Sequence, residues 1–381
     1  MEQLVRLGDV CTVVSGSTPK TSVDEYWNGD VKWITPAELD ADSYYIHDSV
    51  KHITELGRTK TGLSYMPVGT VILSSRAPIG KTAILGCEMC CNQGFKNLIC
   101  TDRIFNEYLY HFLRAKTNYL NSLGRGATFK ELSKGIVENV LIPLPAIEEQ
   151  HHIADLFASV EELIQTKKQQ LDLFDELVKS RFIKLFGAYS AKDCKRRIGD
   201  YADVLGGYAF KSDFFCTDAI PVIRISNIND GRVTLDYSTC FSKDFWEQNK
   251  RFRAEQMDIM MAMSGATTGK AGLYINGQPA LINQRVACIR ALPNKACPEF
   301  LFVATQLEWM YDLIQKTSAG CAQPNISGKQ IENMPVPDAS YEKQRRFAAF
   351  VEQTDKSKLA VQQSIAELEE LKKSLMQKYF G

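Results

Sequence analysis

The sequence predicts an α+β chain: two similar globular domains separated by a pair of long antiparallel coiled-coil helices, forming a pseudo-two-fold internal repeat. Three observations predict it. The chain is written twice, each copy mixes short β-rich runs with amphipathic stretches, and each copy closes in a long helix free of proline and internal glycine. At 381 residues the chain is also too long for one ordinary core.

The first copy opens on "LGDVCTVVSGSTPK" at Leu7 and the second on "IGDYADVLGGYAFK" at Ile198. They share Gly-Asp, the glycines Gly16 and Gly207, and the lysines Lys20 and Lys211. Residues 1–145 and 188–338 then alternate β-rich runs such as "TVILSS", "TAILGC", "DIMMAM" and "ACIRAL" with Gly, Pro and Asn turns. An amphipathic stretch such as "NEYLYHFLRAKTNYL" follows, so each of these segments reads as an α+β domain.

From Gly126 the first copy aligns without a gap with the second from Gly320. Ser133, Glu138, Asn139, Pro143, Glu148 and Gln150 meet Ser327, Glu332, Asn333, Pro337, Glu342 and Gln344, and "KLFG" meets "KYFG". Segments 146–187 and 339–381 are the helical spacers. Within them 147–186 and 341–380 each read as one helix of about 40 residues, about 60 Å long.

Phe157, Ile164, Leu171, Val178 and Leu185 recur at heptad spacing, with Val160 and Phe174 on the adjoining stripe. The second helix carries Val361, Ile365, Leu368, Leu375 and Tyr379. The first helix has 5 basic and 8 acidic residues and the second 8 basic and 6 acidic, so the two attract. Antiparallel pairing buries both stripes and places the domains at opposite ends of a rod; the alternative is two helices that each cover their own domain.

Apolar residues make up 45% of the chain, yet no run of about 20 of them would span a bilayer, and "MEQLVRLGDV" lacks the plan of a signal peptide. A cytoplasmic location is expected. The 11 cysteines show no pairing pattern and read as reduced thiols. "CEMCC" (Cys87, Cys90, Cys91) has half the spacing of a zinc site and no second half, so no metal is expected. Lys plus Arg and Asp plus Glu are 45 each, so any nucleic-acid binding must come from local patches or a charged partner.

A P-loop, G-x-x-x-x-G-K-[ST], needs its first glycine to wrap phosphates and its last hydroxyl to hold magnesium. "SSRAPIGKT" puts Ser75 at the first-glycine position and Pro78 inside the loop, while "AMSGATTGKA" puts Ser264 there and ends at Ala271. "PDASYEK" sets Lys343 directly after Glu342, not two residues on as nuclease chemistry requires. All five histidines lie at or before His152, so no histidine centre can recur; His151 and His152, at a helix start, read as solvent-facing or capping. No Asn/Asp-Pro-Pro-aromatic motif marks a base-flipping methyltransferase. The chain is expected to be non-catalytic.

The ordered set of "LGD" and "IGD", "SRAPIGKTAI" and "SGATTGKAGL", "CNQGF" and "INQRV", "QPNISGKQIENMPVP", and the helix starts "EEQHHIADLF" and "EKQRRFAAFV" resembles the specificity subunit of type I restriction and modification enzymes across essentially the whole chain. The resemblance implies two target-recognition domains, each reading half of a split double-stranded DNA sequence. It also implies that the helices dock two modification subunits, which use S-adenosylmethionine to methylate adenine, and that a restriction subunit supplies ATP-driven translocation and cleavage. No cofactor is expected on this chain itself. "GATFKELS" departs from "CAQPNIS", which weakens any first-domain counterpart of Gln323 and Asn325.

Arg and Lys suit guanine or phosphate, and Asn and Gln suit adenine. The first-domain candidates for DNA contact are Lys20, Arg76, Lys81, Asn92, Gln93 and Lys96. Those of the second are Lys211, Arg224, Ser264, Lys270, Asn283, Gln284 and Arg285. Asn92-Gln93 and Asn283-Gln284 read equally as turn caps, and the Gly-Lys loops equally as structural turns. A two-headed coiled-coil scaffold without DNA affinity is the rival function, and a stand-alone P-loop ATPase ranks behind it.

Overall fold

The structure is a computed structural model that describes residues 4–40, 42–76, 78–125, 130–217, 219–318 and 324–381. Gly126, Gly320 and Gln323 lie outside the described residues. The chain folds as two units, Met1–Lys167 with Ser364–Gly381, and Lys168–Gln363. Each unit takes part of both long helices, so the units do not end where the globular segments of the sequence end.

In the first unit a five-stranded sheet runs in the order Cys11–Ser15, Phe95–Cys100, Val71–Ser74, Thr82–Leu85, Tyr45–Ile46. Val71–Ser74 and Thr82–Leu85 are fully buried, as the unbroken apolar runs require. Helix Asn106–Ala115 covers this sheet, and its Tyr108, Leu109 and Phe112 join Val13, Leu73, Ile84 and Leu98 in one core. The second unit repeats the plan with Ala202–Gly206, Val286–Ala291, Asp258–Ala262 and Ala271–Tyr274 in the same order. Helix Pro298–Thr305 supplies Phe300 and Leu301 to its core.

The two spacers form helices Ile147–Phe186 and Tyr341–Phe380, 40 residues each. Within the first unit they run antiparallel: Phe157 stacks on Phe380 with centroids 5.7 Å apart, and Glu161 pairs with Lys372. Within the second unit Phe182 meets Phe347 at 5.3 Å, and Asp175 pairs with Lys358. None of Phe157, Ile164, Leu171, Phe174, Val178, Leu185, Val361, Ile365, Leu368, Leu375 and Tyr379 is exposed. Phe182, Phe347 and Phe380 fall outside the expected stripe yet are the aromatic anchors; truncating such a side chain to Ala costs about 3–5 kcal/mol.

Most repeated residues hold the entry to each unit together. Asp9 and Asp200 accept the backbone N–H of Arg6 and Arg197, closing the short turn at "LGD" and "IGD". Leu7 and Ile198 are buried, and their amides donate to Val140 and Met334 at 2.9 Å. Ser133 and Ser327 cap the short helices Lys134–Glu138 and Gly328–Glu332. Asn139 and Asn333 close them by donating to Gly135 and Lys329, each at 2.7 Å. Among the described residues no helix is long and apolar enough to cross a membrane.

Candidate nucleic-acid interface

Three loops converge beside the sheet in each unit, and backbone contacts dictate their sequences. The strand Cys11–Ser15 leaves through Gly16, where an added Cβ would lie 2.0 Å from the Asn92 carbonyl oxygen. Gly207 makes the same approach to Asn283, at 2.2 Å. Only glycine allows either crossing, which explains why it recurs.

Asn92 and Asn283 hold the second loop. The Asn92 amide donates to Ile34 at 2.9 Å while its Oδ1 accepts from Gly94 at 2.8 Å; Asn283 does the same with Ile223 at 3.0 Å and Arg285 at 3.1 Å. Both asparagines are turn-holders. Gln93 accepts the Thr18 hydroxyl and is half-buried, whereas Gln284 and Arg285 are exposed.

The third loop is the Gly-Lys segment, and it is a hairpin. Val71–Ser74 pairs antiparallel with Thr82–Leu85, and Asp258–Ala262 with Ala271–Tyr274. A P-loop leads from a strand into a helix, so this geometry removes the nucleotide reading altogether. Gly80 (φ +101°) and Gly269 (φ +88°) turn the chain with positive φ. A Cβ on them would strike Thr117 at 2.6 Å and Ile314 at 2.8 Å.

The side chains on this shared frame differ between units. Lys81 donates to the Pro36 carbonyl at 3.2 Å and to that of Leu39, so its ammonium ties down the neighbouring turn. Lys270 is exposed and has no ion pair among the described residues. Lys96 is only 5% exposed, with Nζ 3.3 Å from Ser75 Oγ and 3.6 Å from Glu131, and burial holds its ammonium below the usual lysine range. Lys96 is therefore withdrawn from the surface, whereas Arg76, the candidate beside it, is exposed and pairs with Glu131, Nε 3.1 Å from Oε2.

Lys20 and Lys211 are exposed, while Arg224 is half-buried and paired with Asp236 at 3.3 Å. Ser264 Oγ is buried without a partner among the described residues.

The expected match of Ser75 with Ser264 is off by one residue. Leu132 donates to the Ser75 carbonyl at 2.8 Å, and Ile326 donates to that of Met263 at 2.9 Å. Arg76 bridges Glu131 as Ser264 bridges Asn325. Arg76 is thus the counterpart of Ser264, and the second hairpin loop is one residue longer. Sequence reasoning missed Glu131, although an acidic residue where the other copy has Asn325 was a visible signal.

The cysteines of "CEMCC" do not form a centre. Cys90 and Cys91 are buried strand residues whose thiols burial pushes upward. Among the described residues no group of three or more His, Cys, Asp or Glu could hold a metal. His151 and His152 are exposed, the former packed on Phe105.

The family model "Type I restriction modification DNA specificity domain" matches residues 2–173 and again 192–370. The type I restriction enzyme MjaIX specificity subunit of Methanocaldococcus jannaschii is 28% identical over 399 residues, covering 98% of this chain and 91% of that protein. The EcoBI specificity subunit of Escherichia coli is 24% identical over 312 residues, covering 73% and 66%. The solved S subunit of the type I restriction-modification system of M. genitalium matches with a TM-score of 0.56 at 14% identity, over 100% of this chain and 96% of that one. A chain from a structure describing complex assembly and conformational transition of the type I R-M system matches with a TM-score of 0.63 at 19% identity, over 99% and 97%. At these identities the two structures speak for the fold alone.

Proposed function

Because this chain belongs to the family of type I restriction modification DNA specificity domains and carries that domain twice, we propose that it is the specificity subunit of such a system, each unit reading one half of a bipartite double-stranded DNA target. The observation that carries the reading is the shared loop frame. Gly16, Asn92 and Gly80 fix the same backbone as Gly207, Asn283 and Gly269, while the side chains presented are unlike. A common frame with different side chains suits two readers of two different half-sites.

The long helices dock two modification subunits, which bring S-adenosylmethionine; ATP belongs to a restriction subunit. In support, Leu163 and Leu371 in the first unit, and Leu173, Leu177 and Leu359 in the second, remain exposed on the paired helices. A chain of zero net charge also leaves phosphate neutralisation to its partners. This chain does no chemistry of its own and works in the cytoplasm.

The test is co-expression with a modification subunit, followed by genome-wide mapping of methylated adenine. A split motif whose halves change separately when residues 1–145 or 188–338 are exchanged supports the reading. No methylation, or one continuous motif, overturns it.

A further inference from the structure

We propose that Arg76 is a DNA-contacting side chain of the first unit, that Glu131 with Lys96 behind it sets its aim, and that the second unit lacks this device. The inference rests on the DNA-reading function proposed above. Glu131 lies between the two cations, its Oε2 3.1 Å from Arg76 Nε and its Oε1 3.6 Å from Lys96 Nζ, an ion pair with each. Lys96 is held in turn by Ser75 Oγ. The backbones of residues 76 and 131 are bridged, so the chain itself brings the pair together.

The second unit is an internal control. The counterparts of Arg76, Glu131 and Lys96 are Ser264, Asn325 and Ala287, all neutral, and the same bridge and hairpin form without any charge. The fold therefore does not require the relay. Nor does stability account for it, because an exposed Arg–Glu pair contributes little and a buried lysine is costly to desolvate.

An ion pair on the Nε side draws the guanidinium toward Glu131 and leaves its two terminal nitrogens as a fork. The Arg76 side chain is 48% exposed, and its terminal nitrogens have no partner among the described residues. Such a fork takes a pair of acceptors in one plane. On DNA these are guanine O6 and N7, or two oxygens of a phosphate. Arg76 touches the DNA; Glu131 and Lys96 are positioning residues.

The experiment uses the full chain in complex with its modification subunits. Arg76→Ser, Glu131→Asn and Lys96→Ala install the residues the second unit already tolerates, and Glu131→Gln keeps the shape of the side chain. Methylated motifs and the salt dependence of DNA binding are read for each.

If the fork reads a base, Arg76→Ser makes one position of the first half-site degenerate and leaves the second half unchanged. If it holds a phosphate, the motif stays intact and the slope of log K against log salt falls by about one. In either case Glu131→Gln gives a weaker form of the same defect, and adding it to Arg76→Ser changes nothing more. The inference is overturned if Arg76→Ser alters neither motif nor slope, if only the second half-site changes, or if Glu131→Gln shifts the melting point alone. A wild-type complex that produces no split motif overturns the function itself, and this inference with it.

Discussion

Gln150 accepts the backbone N–H of Phe105 through Oε1 at 2.8 Å, and its Nε2 donates to the carbonyls of Arg103 at 3.1 Å and Pro145 at 2.9 Å. Gln344 repeats the clamp on Cys297, Lys295 and Ala339 at 3.0, 3.2 and 2.9 Å. Both side chains are fully buried. One amide thus ties the start of each long helix to the start of the helix that covers the sheet. Gln150→Ala leaves a buried donor and two acceptors unpaired and is expected to cost about 3 kcal/mol. Urea melting of this variant, beside the exposed-site control Gln165→Ala, checks it; a loss below about 1 kcal/mol would mean that water replaces the amide.

Gly16→Ala and Gly207→Ala should each damage one reader. Their new Cβ atoms would sit 2.0 and 2.2 Å from backbone oxygens, so the Asn-Gln turn must move. The stability cost is expected at about 2 kcal/mol or more. Methylation mapping should then show the first half-site blurred by Gly16→Ala and the second by Gly207→Ala. Both variants affecting the same half would contradict the assignment of one unit to each half.

The helices were legible to the residue because proline and glycine bracket two long stretches that contain neither. The candidate site was less so, for reasons seen at Lys96 and Lys81. Lys96 lies in Phe95–Cys100, a strand covered on both faces at that end, where strand periodicity no longer separates inward from outward positions. Lys81 is claimed by carbonyls of a turn more than 40 residues earlier in the chain, a partner no local pattern announces. Aligning the hairpins on their Gly-Lys ends hid the extra residue in the second, and with it the pairing of Arg76 to Glu131.

His111 makes the first unit sensitive to acid. Its ring is fully buried against Phe157 and the rings of Tyr44 and Tyr110, and neither nitrogen has a hydrogen-bond partner among the described residues. Burial, then the charges of Lys372 and Arg114, push its pKa down to about 3. The unfolded value is about 6.5, so the folded state favours the neutral ring. Its stabilising effect is complete above pH 6.5 and is lost as pH falls from there toward 3. At pH 5 the loss should be about 2 kcal/mol relative to pH 7. Urea midpoints at the two pH values measure it, and His111→Phe should remove most of the difference.

Cys11 and Cys100 face each other across neighbouring antiparallel strands, where the second unit has Ala202 facing Ala291. Thr101 donates to Val10 at 3.0 Å and Gly16 to Phe95 at 3.3 Å, which marks those as the hydrogen-bonded pairs. Cys11 and Cys100 alternate with them and occupy a non-hydrogen-bonded pair, whose Cα atoms stand about 4.5 Å apart, inside the range a disulfide spans. Cys11 is buried and Cys100 half-buried, so Cys100 should attack a small-molecule disulfide first, releasing one thiol. Cys11 then displaces the second thiol and closes the bond. The hydrogen bond to Cys100, followed by burial, raises the Cys11 pKa, so closure should quicken as pH rises. Peptide mapping by mass spectrometry should find Cys11 linked to Cys100, and urea melting should show the unfolding free energy raised by up to about 4 kcal/mol. Cys11→Ala with Cys100→Ala reproduces the second unit's pair, should fold normally, and should lose the oxidant response; a response that survives in this variant would assign it to another thiol.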